Sequence, residues 1–310
     1  MTKKSTLFFS FLILIFCGMA PAVFASEAPM TLLPPSTLPA CDGFVPPTPV
    51  QLEQEIAEAS MAILADPKNA EAYIRRGIAF GDLEKHEQAI REYDRALKID
   101  PNNADAYFNR GFDYEAQGNA EKALSDYSRA IELDPGMAEA HVGRGQIYRD
   151  RGDYQKAVAE YTRAIEIDPA FQEAYYSRAL SYDDLHEYSK ASDDYRKAIT
   201  LNPNDACAYN NLALDQQAQG DTNSAMTNFN KAIELDPQLS AAFGNRGALY
   251  ASLGKMDSAI SDYNEAVRLQ PADAGLYRER AELFRKRGEY LKYLKDLWNS
   301  LCASTTTTRR

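Results

Sequence analysis

Seven prolines stand at a strict spacing of 34 residues: Pro67, Pro101, Pro135, Pro169, Pro203, Pro237 and Pro271. A fixed period of this length marks a tandem array, in which each unit is one supersecondary element that can bury its apolar face only against its neighbours. The 310 residues are therefore read as one repeated structure and not as two ordinary domains.

Within each unit, apolar and small residues recur at three- and four-residue steps, the helical period, so each unit reads as two helices. With Ala70 as position one, position four is Tyr73, Tyr107, His141, Tyr175, Tyr209, Phe243 and Tyr277, and position eight is always Gly or Ala, as in Gly77 and Ala179. Position twenty is Ala from Ala89 to Ala259, and position twenty-seven is Ala from Ala96 to Ala266. Glycines near position fifteen, such as Gly118 and Gly152, end the first helix.

This pattern closely resembles the tetratricopeptide repeat family from Ala70 to Asp236, continues through Pro271 and weakens in a last copy that ends at Ser304. The resemblance implies an all-α fold: a right-handed superhelical solenoid of antiparallel helix pairs whose first helices line a concave groove. Residues 67–304 hold seven repeats, and 50–66 fit only the second half of a repeat and are expected to form a capping helix. TTTTRR at the end reads as a disordered tail over 305–310.

Position seven carries a charge on a face that should be packed, and such a charge needs a partner. Position twenty-three supplies one in six repeats: Arg76 with Glu92, Arg110 with Asp126, Arg144 with Glu160, Arg178 with Asp194, Arg246 with Asp262 and Arg280 with Asp296. In the remaining repeat both depart together, to Leu212 and Asn228, as a structural ion pair within each hairpin requires. A phosphate-binding arginine ladder is not expected, since each arginine has its own carboxylate.

In the family, ligands usually meet positions two, five, nine, twelve and thirteen. Carried over, positions five and nine give an apolar strip of Ile74, Ile78, Phe108, Phe112, Val142, Tyr176, Leu180 and Leu214, rimmed by acids that include Asp183 and Asp184. A protein or peptide partner that is apolar and basic is expected, because opposite charge steers association while apolar contact supplies affinity. The chaperone-binding subgroup uses Lys at position five with Asn at position nine, and no repeat here has both. The last repeat departs from the rest: position twenty-five is Trp298, where earlier copies have Asp94, Ser128, Thr162, Arg196, Asn230 and Asn264. Leu294, Trp298 and Leu301 are expected to form an apolar stripe able to support a homodimer.

No chemistry is expected. His86, His141 and His186 lie in different repeats without metal-site spacing, no nucleotide-binding or nucleophile-elbow motif occurs, and neither catalysis, cofactor nor metal is called for. A net charge of -11 and pI near 4.9 argue against nucleic acid, which needs a basic surface. The first 25 residues, two lysines and an apolar run ending Val23-Phe24-Ala25, read as a secretory signal cleaved after Ala25, placing the protein in the periplasm or outside the cell. The alternative is an uncleaved membrane anchor. A Pro-rich linker follows over 26–49. Cleavage leaves Cys41, Cys207 and Cys302, an odd number that suggests free thiols and no disulfide framework.

Overall fold

A computed structural model describes residues 47–307, with side chains placed through Ala303. The expected signal, most of the linker and the last three residues lie outside the described residues. All fifteen described elements are helices. The first, α1 (Pro49–Ala65), starts one residue before the capping helix was expected to begin, because Thr48 caps it and forms a reciprocal pair with Gln51, while Pro49 suits the first helical turn.

Fourteen helices follow: α2 (Ala70–Asp82) paired with α3 (His86–Ile99), α4 (Ala104–Ala116) with α5 (Ala120–Leu133), and α6 (Ala138–Asp150) with α7 (Tyr154–Ile167), then α8 (Gln172–Asp184) and α9 (Tyr188–Leu201). The series continues with α10 (Ala206–Ala218) and α11 (Thr222–Leu235), α12 (Ser240–Ser252) and α13 (Met256–Leu269), then α14 (Ala274–Lys286) and α15 (Tyr290–Thr307). The last helix runs to Thr307, so residues 305–307 are helical where a disordered tail was expected; no Pro or Gly interrupts that segment.

The described residues divide into two compact units, one ending at Ser181 and a second that continues from Tyr182. Within the first, α2, α4 and α6 pack on their own second helices, and α3 and α5 pack on the next first helix. Within the second, α10 to α15 repeat the arrangement. The shared core motif is an aromatic ring at position twenty-four, Tyr93, Tyr127, Tyr161, Tyr195 and Phe229, fully buried. Position eight must be small to admit it: a Cβ on Gly77 would stand 2.6 Å from Tyr93, and one on Gly145 2.8 Å from Tyr161.

Each first helix ends in a left-handed residue at position fifteen. Gly118, Gly152, Gly220, Gly254 and Gly288 supply it without strain, while Glu84 and His186 adopt φ of 57° and 59° there. The Asp-Pro junctions are local structure: the Asp100, Asp134 and Asp168 carboxylates accept from backbone N–H groups two residues on, at 2.9–3.1 Å.

The cysteines need a correction. Cys207 is disulfide-bonded, and Cys302 is exposed and outside any disulfide. An odd cysteine count forbids complete pairing but not one bond.

Candidate interaction face

Five of the six expected ion pairs can be seen within a unit. Arg76 Nε donates to Glu92 at 3.0 Å, Arg110 grips Asp126 through two bonds of 2.7 and 2.8 Å, Arg144 meets Glu160 at 2.9 Å, and Arg246 and Arg280 each make two bonds of 2.8 Å to Asp262 and Asp296. Arg178 and Asp194 belong to different units. Sequence reasoning missed the other arm of each arginine, which reaches sixteen residues back to position twenty-five of the preceding repeat. Arg76 donates to Ser60, Arg110 to Asp94, Arg144 to Ser128, Arg178 to Thr162, Arg246 to Asn230 and Arg280 to Asn264, at 2.6–3.3 Å. The signal was present: Arg196, the one cation in that column, precedes the one repeat without the arginine. There Leu212 is buried and Asn228 donates to Gln216 at 2.7 Å.

The arginines are therefore rivets between helices and repeats, each with its guanidinium over the position-four ring where one is present, as for Arg110 on Tyr107 at 5.4 Å. In the third repeat His141 replaces that ring, and its Nδ1 meets Glu160 at 2.8 Å.

The first helices lie side by side within each unit, α2 touching α4 and α4 touching α6 in one, α10 touching α12 and α12 touching α14 in the other. The apolar strip expected along this face is largely used in packing. Ile74, Val142, Tyr176 and Leu180 are buried, Ile74 within the cluster of Ala89, Tyr93 and Ala106. Ile78, Phe108, Phe112 and Leu214 are half-buried, and Phe108 stacks obliquely on Tyr127 with centroids 5.8 Å apart. Position five packs mainly on the second helix of its own repeat, Ile74 on Tyr93 and Ala96 and Phe108 on Tyr127, with Ala106 of the next first helix also against Ile74.

The acids also differ from a simple exposed rim. Glu71 and Asp105 are exposed, Glu115, Glu139 and Asp184 half-buried, and Glu173 and Asp183 buried. Asp183 accepts from the Tyr195 hydroxyl at 2.6 Å and shares a hydrogen bond with Asp215, whose carboxyl is held protonated well above the usual range by burial and by that second acid. Tyr127 likewise donates to Glu115 at 2.6 Å, and burial then pushes Glu115 up to about 7. The Tyr127 and Tyr195 hydroxyls thus carry hydrogen bonds from the core to carboxylates of the first helices, while Tyr161 donates to the Gln146 amide oxygen at 3.4 Å, links that spacing alone did not reveal.

At the end of the array, Trp298 is 67 % exposed and does not fold onto α14. Leu294 and Leu301 are exposed as expected, and Tyr290 and Leu291 extend the same patch. Among the described residues no group of three His, Cys, Asp or Glu side chains is placed to hold a metal ion, and no helix is long and apolar enough to cross a membrane.

Family models described as tetratricopeptide repeat or TPR repeat match residues 79–118, 108–171, 173–205, 208–239 and 240–273. The chain belongs to the tetratricopeptide repeat family. No curated protein matches it. Among solved structures, the Cut9 and Hcn1 hetero-tetramer of APC/C resembles it with a TM-score of 0.62 and 19 % identity over 82 % of this chain, which spans about half (50 %) of that one. PilF of Pseudomonas aeruginosa gives 0.62 and 20 %, covering 73 % of this chain and 99 % of its own. YrrB, a TPR protein with an unusual peptide-binding site, gives 0.51 and 25 %, covering 58 % and 92 %. The first two resemblances establish the fold of a tetratricopeptide solenoid.

Proposed function

We propose that the protein is an exported, non-catalytic scaffold that binds a peptide or protein segment of apolar and basic character on its first-helix face. The observation that carries this reading is the row of acids at positions two, twelve and thirteen on adjacent first helices, Glu71, Asp105, Glu115 and Glu139 among them. Half-buried Ile78 and Phe112 sit beside them on positions open to a ligand. The peptide-binding site of YrrB supports the same role for this fold. The export proposal rests on the N-terminal sequence. Sequencing the mature protein tests it: Ser26 at the N-terminus supports export, and Met1 supports the anchored alternative, a membrane-attached subunit of an envelope assembly.

The binding test is selection from a random dodecapeptide display library, followed by titration at low and high salt. The reading expects apolar, basic peptides whose affinity falls with salt and with Glu71→Gln, Asp105→Asn and Glu139→Gln combined. Absence of any selected peptide, or indifference to those changes, overturns it.

A second surface is proposed on α15, where a second copy of this chain docks. Position twenty-five is the seam at which one repeat receives the arginine of the next, and at this position the last described helix carries the exposed Trp298. Five exposed side chains, Tyr290, Leu291, Leu294, Trp298 and Leu301, present roughly 700 Å² per copy, so a two-fold pairing would bury about 1,400 Å², the size of an ordinary stable interface. Light scattering should show a dimer that Trp298→Asp abolishes with helicity retained; a wild-type monomer at high concentration removes this surface.

A further inference from the structure

Cys207 is disulfide-bonded. It lies at position two of α10, half-buried, and packs with Ala241, at position two of α12, against one cluster that includes Ala206 and Ala242. The bond is therefore made at the seam where two neighbouring first helices meet. The sequence has four cysteines, and Cys302 stands outside any disulfide. That leaves Cys17 or Cys41 as the partner within the chain, both outside the described residues. Cleavage after Ala25 removes Cys17 and leaves Cys41.

The residues that Cys41 brings with it read APMTLLPPSTLPA from 28 to 40, with four prolines and no charge. A Pro-rich sequence of this kind favours an extended backbone and loses little entropy on docking. The helix next to Cys207 suits it. On α12, Ala241 and Ala251 are half-buried and Ala248 is exposed, so this side presents methyl groups over which an extended backbone can lie closely. The only charge on α12 is Arg246, and it is engaged with Asp262 and Asn230. An uncharged chain can cover such a surface without stranding a charge, whereas α2, α4 and α6 carry the acids Glu71, Asp105, Glu115 and Glu139. The lengths agree as well. Packed helices stand about 8–10 Å apart and an extended Pro-rich chain advances about 3.1 Å per residue, so about three residues ahead of Cys41 span the step from α10 to α12.

We propose that a disulfide between Cys41 and Cys207 holds residues 28–40 on the face of α10 and α12 as an internal ligand. The bond forms as the two thiols yield two protons and two electrons to a donor disulfide, which leaves as two thiols. It persists in the oxidising compartment to which the export reading assigns the protein, and the proposal rests on that reading for the loss of Cys17. The internal ligand closes the uncharged face of α10 and α12 to outside peptides, which are left the acidic face of α2, α4 and α6.

Non-reducing peptide mapping of the mature protein by mass spectrometry should find the peptide of Cys41 joined to that of Cys207. Cys207 as a thiol, or joined to Cys17 or to a second copy, overturns the proposal; Met1 at the N-terminus of a protein that carries the Cys41–Cys207 bond overturns export alone. Docking is read with a synthetic peptide of residues 28–40 and protein bearing isotope-labelled alanine methyl groups. In a variant lacking residues 28–40, the nuclear magnetic resonance signals of Ala241, Ala248 and Ala251 should shift on adding the peptide. The dissociation constant should be below about 1 mM, because a short tether supplies an effective concentration on that order. In the wild type the face is already filled, and the same signals should not move. Ala248→Glu in the deletion variant changes an exposed position and should weaken binding roughly tenfold or more by placing a charge under the apolar chain, with circular dichroism reporting that the array is intact. Equal shifts in the wild type and the deletion variant, no binding below about 1 mM, or indifference to Ala248→Glu overturns the internal ligand.

Discussion

Replacing Arg110 by Leu copies one half of what the fifth repeat does naturally, and the structure states the consequence. Arg110 makes two bonds to Asp126, 2.7 and 2.8 Å, and one of 2.6 Å to Asp94. The Asp126 side chain is only 7 % exposed, whereas Asp94 is 43 % exposed. Water can replace the guanidinium at Asp94, so that arm contributes less than about 1 kcal/mol. Asp126 has no such recourse, and removing one partner of a buried pair costs about 3–5 kcal/mol. Arg110 retains 18 % exposure, which places the expected cost of Arg110→Leu at the lower end, about 3 kcal/mol. Adding Asp126→Asn removes the stranded charge, as Asn228 does opposite Leu212, and should reduce the cost to about 1 kcal/mol. The pair is chosen over Arg144 and Glu160 because His141 also contacts Glu160 and would blur the cycle. Urea titration gives the energies, and amide exchange in α4 and α5 localises them, since repeat arrays need not unfold in one step. A coupling energy below about 0.5 kcal/mol between the two substitutions would refute the rivet argument.

Glu84→Gly should stabilise the first repeat by about 1 kcal/mol, because Glu84 occupies a left-handed conformation with φ 57°; thermal melts of the two proteins decide, and no gain contradicts it. Gly145→Ala should destabilise by about 1–3 kcal/mol, since its Cβ would meet the Tyr161 ring at 2.8 Å; an unchanged melt would show that the ring moves aside freely. Glu173 has a folded value of about 8 against 4.5 unfolded, so its contribution is fully present below about pH 4.5 and is lost as pH rises through about 8. Urea titrations across that range should show falling stability in the wild type and a flatter profile in Glu173→Gln, and parallel profiles would contradict the burial of that acid. A thiol reagent applied to the unreduced protein should label Cys302 and spare Cys207; labelling of both denies the disulfide.

The helix pairs were legible because their determinants are periodic: a small residue at position eight, a turn residue at fifteen and Pro in every junction. The Arg–carboxylate rivet was legible for a subtler reason, the joint departure of Leu212 and Asn228. Its second arm escaped notice because the polar residues of position twenty-five look solvated when a repeat is considered alone, yet they serve the arginine of the next. The interaction face was harder to read. Register puts Ile74 and Val142 on the same side as Phe112, but whether a side chain faces a ligand or a neighbouring helix depends on how closely the first helices approach. The burial of Glu173 and Asp183 likewise follows from their neighbours, among them Tyr195 rising from the second helix, which helical periodicity within one repeat does not encode.

The most direct test of the central claim is a footprint of a display-selected peptide on the full chain by hydrogen exchange, read amide by amide. Protection should concentrate on α2, α4 and α6, with α5, α7 and α15 unchanged, and should weaken when the cations of the peptide are replaced by norleucine or citrulline. Protection centred on the second helices, or on α15 alone, would contradict the assignment of the first-helix face as the site.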